Sequence, residues 1–335
     1  MGMNWLITGG CGFLGTSLIK QLLAEGGHAI RVVDNLSVGT RQDLAEASPF
    51  VEISRAELAK AEVTFPVEGE AVQLVVGDIL EEQLALSVAK GADVIVHFAA
   101  NTGVAPSVEN PRLDCVTNVI GTLNYLEAAR HGGAKRFVFA SSGAPVGECE
   151  PPIHEEKVPH PVSPYGASKL AGEGYCSAYY RTYGIETVAL RFGNVYGPGS
   201  GHKNSVVAKF IKQIMSGEML EIYGDGKQTR DFIYIDDLVS AVCLAATQPG
   251  IGGEVFQIAT NAETTVGEVL ELLVAAFAQR GQVGVQYRFG DKRTGDVMRN
   301  YSDTSKAKRM LGWGMSVALP DGIEKTIGYF AAHKS

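Results

Sequence analysis

The sequence predicts an α/β protein, a doubly wound parallel sheet joined to a smaller C-terminal α/β domain, and three observations predict it. Short, almost wholly apolar runs recur through the first half, as strands buried on both faces require. Helical periodicities separate these runs, and a glycine-rich turn links the first run to the first helix. With 335 residues and 45% hydrophobic composition the chain can bury a large core, which excludes disordered and fibrous classes.

Met3 to Thr8 is the first apolar run, and an amphipathic stretch from Phe13 to Glu25 follows. Between them stands Gly9-Gly-Cys-Gly12-Phe-Leu-Gly15, spaced GxxGxxG. Glycines at 9, 12 and 15 let the backbone approach a pyrophosphate closely, while the amides opening the helix face the anion. Strand, tight turn and helix in this order predict a Rossmann unit. The second strand, Ala29 to Asp34, ends in a carboxylate at the distance expected for the adenosine ribose hydroxyls. Asp34 would repel a 2′-phosphate, so NAD is expected and not NADP.

Val72 to Ile79 and Asp93 to Ala100 are the third and fourth runs, each ending in residues able to touch a ribose. His97 lies inside the fourth and is expected to be a packed core imidazole without chemistry. Residues Val38 to Gly69, rich in Ala and Glu with Pro49 and Pro66, predict a surface helix and loop. A long helix is expected from Leu113 to His131, a fifth strand from Lys135 to Ser142, and a helix from about Pro161 to Tyr183. The two long helices would pair with those of a second copy, with Ala171, Gly172 and Gly174 permitting close approach, so a homodimer is expected. From Gly193 the pattern turns irregular, with later helices at about Thr265 to Arg280, Thr304 to Leu311 and Pro320 to His333. The dinucleotide domain is expected over 1–192 with returning segments about 229–258, and the second domain over 193–228 and 259–335.

A formal net charge of -8 argues against a nucleic-acid role, which needs clustered basic surface. Cys11, Cys115, Cys149, Cys176 and Cys243 lack CxxC or His/Cys ligand spacing, so neither a disulfide framework nor a metal site is expected. No apolar run reaches the ~18 residues of a membrane span and no basic leader pattern is present, so a cytoplasmic location is expected.

The best clue to chemistry is Tyr165 and Lys169, four residues apart in Pro-Tyr-Gly-Ala-Ser-Lys and so on one face of a helix. A tyrosine hydroxyl ionises near pH 10, and a cation held nearby lowers that value. Lys169 is placed to be that cation. The Ser141-Ser142 pair ends the fifth strand, close in sequence to this helix.

These motifs run in order from residue 3 to about residue 330: TGGCGFLG, Asp34, GDI, HFAA, Asn118-Val-Ile-Gly-Thr, Ser141-Ser142, YGASK, Arg191-Phe-Gly-Asn194-Val-Tyr-Gly-Pro198, GDGKQTRDFIYIDD and DKRTGD. Together they resemble the extended short-chain dehydrogenase/reductases, and within them the nucleotide-sugar epimerases of the UDP-glucose 4-epimerase kind. The resemblance implies that Tyr165 takes a proton from a sugar hydroxyl while hydride passes to NAD. Lys169 lowers the tyrosine pKa and binds the nicotinamide ribose, and Ser142 hydrogen-bonds the same sugar oxygen. It implies NAD contacts from Gly9, Gly12, Phe13, Leu14, Gly15, Asp34, Asn35, Ser37, Asp78, Ile79, Phe98, Ala99, Ala100, Asn118, Ser141 and Phe192, besides Tyr165 and Lys169. For the nucleotide-sugar substrate it implies Thr102, Val104, Ser142, Asn194, Ser205, Val206, Glu221, Tyr223, Arg230, Arg293, Asp296 and Asn300.

Two departures bear on the reaction. Val146 replaces the family's tyrosine after the serine segment, beside Pro145, so the loop over the sugar is expected to be reshaped. Gly143 and Ala144 stand where 4,6-dehydratases carry an Asp-Glu pair, so water elimination lacks its acid. The leading expectation is C4 epimerisation of a UDP-hexose. The alternatives are epimerisation at another carbon or of a CDP-, GDP- or dTDP-sugar, and a non-catalytic NAD-binding regulator. Preference for N-acetylated sugars stays open, because Asn300 and Tyr301 compete for the deciding position.

Overall fold

A computed structural model describes residues 2–58, 64–66, 71–203, 205–291 and 297–333. The first part of the chain alternates strands and helices: β1 (Asn4–Thr8), α1 (Phe13–Glu25), β2 (Ala29–Asp34), α2 (Arg41–Ala47), β3 (Phe50–Glu52), α3 (Arg55–Leu58), β4 (Val72–Val76), α4 (Glu82–Val88), β5 (Val94–His97), α5 (Val104–Glu109), α6 (Pro111–Cys115), α7 (Gly121–Gly132), β6 (Arg136–Ser142), α8 (Pro164–Tyr183) and β7 (Glu186–Phe192). There follow β8 (Asn194–Tyr196), α9 (Val206–Ser216), β9 (Leu220–Tyr223), β10 (Thr229–Arg230), β11 (Phe232–Tyr234), α10 (Ile235–Thr247), β12 (Glu254–Ile258), β13 (Thr264–Thr265), α11 (Val266–Gln279), β14 (Tyr287–Gly290), α12 (Ser305–Leu311) and α13 (Leu319–Ala332).

The chain divides into two compact units. The first holds Met1–Gly147, Lys157–Arg191 and Val239–Phe256, and the second holds Glu148–Glu156, Phe192–Leu238 and Gln257–Ser335. The returning segment thus begins at Val239 and not near residue 229, and Glu148–Glu156 groups with the second unit.

Eight strands form one sheet in the order β12-β7-β6-β5-β1-β2-β4-β3. The pairs from β3 through β6 are parallel. Strand order reverses between β1 and β5, and in open sheets of this kind ligands collect at the carboxyl ends of the strands flanking that reversal. β2 is buried along its whole length and β5 likewise, which is why their sequences read as nearly unbroken apolar runs. Leu6, Val33, Val75, Ile95, Phe137 and Phe139 from the sheet pack with Tyr125, Leu126 and Ala129 of α7 in one core.

Gly15 shows what the glycine loop demands sterically. A Cβ there would lie 2.5 Å from Gly9 O and 2.7 Å from Gly10 C, both rigid backbone. Gly15→Ala is therefore expected to force α1 off β1, costing about 1–3 kcal/mol of stability and at least tenfold in NAD affinity. Thermal unfolding and titration calorimetry with NAD check both effects, and wild-type values in both would refute this packing.

Three regions differ from the sequence reading. The expected helix from Leu113 to His131 is present but not uniform: α6 ends at Cys115, a π-helical turn spans Val116–Ile120, and α7 follows without interruption. The wide turn sets the Asn118 amide inward, where it exchanges hydrogen bonds with the Asn101 backbone at 2.8 and 3.0 Å. Within Val38 to Gly69 the described residues add a strand, β3, on the sheet edge beside β4, three residues being too short a run to register as periodic. In the region read as irregular after Gly193, α9 buries Val207, Phe210, Ile211 and Ile214, spaced i, i+3, i+4, i+7. That signal was in the sequence, hidden among the glycine and proline clusters around it.

The expected close-approach glycines also part company. Gly172 is buried against Phe139, where a Cβ would meet the ring at 2.7 Å, so it serves packing within the chain, whereas Gly174 faces open space.

Candidate active site

The first unit carries a dinucleotide cradle. Gly9 turns the chain out of β1 with φ +68, and the Gly12 amide returns to Gly9 O at 3.1 Å, closing the turn before α1. A Cβ on Gly12 would meet only Gly9 O, at 3.3 Å, so the loop can be approached to backbone distance. Asp34 ends β2 inside this turn: its carboxylate accepts from Cys11 N at 2.9 Å and from Leu36 N at 2.8 Å. Each oxygen keeps a second lone pair for a ribose hydroxyl. Burial pushes the Asp34 carboxyl upward, while those two amides pull it back. The open glycine turn, the helix N-terminus and the retained carboxylate fit NAD.

The remaining expected cofactor residues divide. Asn35 and Ser37 lie exposed after β2, with Asn35 Nδ2 donating to Asp78 Oδ2 at 3.0 Å. Phe13 and Leu14 open α1. Phe98, Ala99 and Ala100 follow β5, and Ala99 N donates to Thr8 Oγ at 3.2 Å. Ile79 is buried and its carbonyl is taken by Asn124 Nδ2 at 3.0 Å. Phe192 is buried at the end of β7. Thr102 and Val104, assigned to substrate, are exposed at the entrance to α5.

Ser142, Tyr165 and Lys169 come together. Ser163 caps α8 by accepting from Gly166 N, Pro164 opens the helix, and Tyr165 and Lys169 fall on one face of it. The Tyr165 hydroxyl is hydrogen-bonded to Ser142, whose Oγ also accepts from Ala144 N at 3.0 Å. Lys169 is buried, its Nζ donating to Ala140 O at 2.8 Å and standing 6.0 Å from the centre of the Tyr165 ring. Burial brings Lys169 down to about 8, with Asp114 and Glu173 acting in the opposite direction.

The spacing argument expected Lys169 to lower the Tyr165 pKa. In the structure burial raises it, and the group that lowers it is Ser142. The physical reason is desolvation: the pocket that orients the phenol also removes water from the phenolate.

Ser141 turns the other way. Its hydroxyl is buried and donates to Glu173 Oε1 at 2.6 Å, so its side chain serves the interior. Glu173 in turn holds Arg191 through two bonds of 2.8 and 2.7 Å. Sequence reading missed this pair, although Glu173 stands one helical turn beyond Lys169 and so on the same face. His97 is buried, bonded through Nδ1 to Thr8 Oγ at 2.9 Å and ringed by Tyr125, Phe137 and Phe139. Burial brings it to about 3, so it stays neutral as a packed imidazole.

The second unit contains a cavity of about 250 Å³ whose lining includes Asn194, Ser205, Val206, Glu221, Tyr223 and Arg230, six of the expected substrate residues. Ser205 Oγ is buried with no hydrogen-bond partner among the described residues. Arg230 lines the wall with its Nη1 tied to the carbonyls of Thr229 and Val297, both at 2.7 Å. Lys209 sits 5.2 Å from the centre of the Tyr223 ring, and Glu221 pairs with Arg288 at 2.9 Å. Phe210, Lys209 and Gln228 also line the cavity and were not anticipated. Asn300 lies outside the lining, its amide donating to Thr229 Oγ at 3.2 Å. Arg293 and Asp296 fall outside the described residues.

A Rossmann sheet with a glycine cradle, a carboxylate at the end of β2 and a Ser-Tyr-Lys cluster is the framework of an NAD-dependent enzyme. The family model described as "NAD dependent epimerase/dehydratase family" matches residues 5–259, and the chain belongs to that family. The chain is 34% identical over 334 residues to the UDP-glucose 4-epimerase of Mycolicibacterium smegmatis, covering 98% of each protein. It is similar to the crystal structure of the Thermotoga maritima UDP-glucose 4-epimerase with UDP-glucose, with a TM-score of 0.86 and 34% identity over 99% of this chain and all of that one. It also resembles the Thermus thermophilus UDP-glucose 4-epimerase complex with NAD, with a TM-score of 0.83 and 31% identity over 99% of this chain and all of the other. No helix among the described residues is long and apolar enough to cross a membrane.

Proposed function

We propose that the protein inverts C4 of a UDP-hexose through a transient 4-keto sugar. The observation that carries this reading is the Ser142-Tyr165 hydroxyl pair beside buried Lys169, in a site where Gly143 and Ala144 follow the serine. Tyr165 accepts the proton of the C4 hydroxyl, and Ser142 holds both that oxygen and the phenol in line. The Lys169 ammonium offsets the charge of the Tyr165 phenolate before the transfer, and the tyrosine becomes a neutral phenol on taking the proton. NAD, when bound, supplies a hydride acceptor that becomes the donor for the opposite face, so no net NADH accumulates.

Removing water across C5 and C6 needs an acid beside the sugar. Neither residue after Ser142 carries one, which favours epimerisation over dehydration within the family. The cavity of the second unit, largely apolar with a few polar groups, suits a nucleoside diphosphate: Arg230 and Asn194 for phosphate oxygens, Tyr223 and Val206 for the base. Arg293 and Asp296 would add to the phosphate and ribose contacts. We read the molecule as a homodimer through α5 to α8, whose Val108, Leu113 and Tyr175 are exposed apolar side chains.

Incubation with a panel of UDP-, CDP-, GDP- and dTDP-sugars without added NAD, followed by NMR of the product, tests the reading. Inversion at C4 of a UDP-hexose is expected. Inversion at another carbon or of another nucleotide sugar would replace the substrate assignment, and no turnover of any sugar would refute it.

A further inference from the structure

Asp114 is completely buried at the end of α6, yet its Oδ2 has no hydrogen-bond partner among the described residues. A carboxylate so placed costs several kcal/mol unless a positive charge nearby compensates it, and the cation that its charge acts on is Lys169. The clamp on its other oxygen is specific. Oδ1 accepts from Asn118 Nδ2 at 3.1 Å, and that same amide reaches Ser168 Oγ at 3.0 Å. Ser168 precedes Lys169 on α8, and its hydroxyl bonds back to Tyr165 O at 3.1 Å. Helices α6 and α8 pack together, and the π turn beginning at Val116 brings Asn118 into the link. One chain of hydrogen bonds thus runs from the carboxylate to the turn of α8 that carries both Tyr165 and Lys169.

We infer that Asp114 is a positioning residue of the reaction: clamped by Asn118 and Ser168 against α8, it supplies the counter-charge that keeps Lys169 an ammonium inside the protein. The inference rests on the reading that Lys169 serves the oxidation step. Burial works against the ammonium, and among the groups that oppose burial Asp114 comes first, ahead of Glu173. Among the described residues the groups with charge or titration facing Lys169 are Asp114 from α6, Tyr165, Glu173 and Cys176 from α8, and His97 from β5, the last neutral; Asp114 also acts on Tyr165, in the direction that disfavours its phenolate. Of the two carboxylates that act on Lys169 among the described residues, removing the Asp114 charge leaves Glu173, which already holds Arg191.

The test is Asp114→Asn in the NAD-loaded enzyme, because the amide can still accept from Asn118 while the charge is gone. Lysine labelled with carbon-13 reports the Lys169 titration directly, its signal assigned by loss in Lys169→Arg. The midpoint is expected to fall by about one pH unit. The alkaline limb of kcat is expected to fall with it, giving about a tenfold loss at pH 8 with KM for the nucleotide sugar within twofold of wild type. An unchanged midpoint, or a kcat loss equal at every pH, would overturn the inference and leave Asp114 a structural group. Should Asp114→Asn not fold, Ser168→Ala removes one anchor of the clamp and carries the same test: a lowered midpoint supports the inference and an unmoved one refutes it. Because the titration is read without substrate, it stands or falls separately from the choice of sugar.

Discussion

Replacing Tyr165 by Phe is expected to lower turnover of the nucleotide sugar about 10³-fold while NAD remains bound. The change removes one oxygen, the one hydrogen-bonded to Ser142, and leaves the ring on its face of α8. In the proposed reading the cofactor is anchored elsewhere, by the glycine turn and Asp34. Burial pushes the Tyr165 phenol above its ordinary value and the hydrogen bond with Ser142 pulls it back, so the phenolate that accepts the sugar proton forms against burial and with the help of Ser142. Rate therefore depends on a proton moving through this one atom. Single-turnover NMR of the product, with the NAD content of the purified variant measured by absorbance, checks both halves. A near-normal rate would remove Tyr165 from the chemistry, and loss of the cofactor would show that the hydroxyl is an anchor.

Lys169→Met carries the second large effect, a loss of at least 10²-fold in turnover, since it removes the buried ammonium that stands 6.0 Å from the centre of the Tyr165 ring. It also has a stability signature. Lys169 titrates at about 8 in the folded protein against an ordinary lysine value of 10.5, so across that interval the unfolded chain binds a proton that the folded chain has released. Stability then rises with pH between those values. Relative to the methionine variant, the wild type is expected to gain about 3 kcal/mol between pH 8 and 10.5. Below pH 8 the difference is constant, because lysine is protonated in both states. Urea unfolding of the two proteins across this range measures it. A flat difference would place Lys169 in contact with solvent, contrary to its burial.

Sequence alone exposed the parts of this molecule that depend on neighbours in the chain. Gly9 and Gly15 mark the turn because backbone crowding there admits no side chain, Gly12 leaves the loop open to close approach, and Asp34 follows at the end of the next strand. Tyr165 and Lys169 share a face because a helix repeats every 3.6 residues. What eluded it were contacts between residues far apart in number. Asn118 meets Asn101 and Ser168 only because α6 breaks into a π turn beside α8. Glu173 meets Arg191 across helix and strand, and Ser141 joins them while Ser142, its neighbour, points to Tyr165.

Local stereochemistry was enough to set out strand, turn, helix and the order of the Rossmann unit, since each rests on periodicity and on the space around a few glycines. The electrostatics of the candidate site were decided by packing. How far a phenol or an ammonium departs from its ordinary titration depends on the water removed from it and on charges brought close by other elements. Lys169 owes its lowered value to burial beneath α8, tempered by Asp114 and Glu173, and no spacing along the chain encodes that balance.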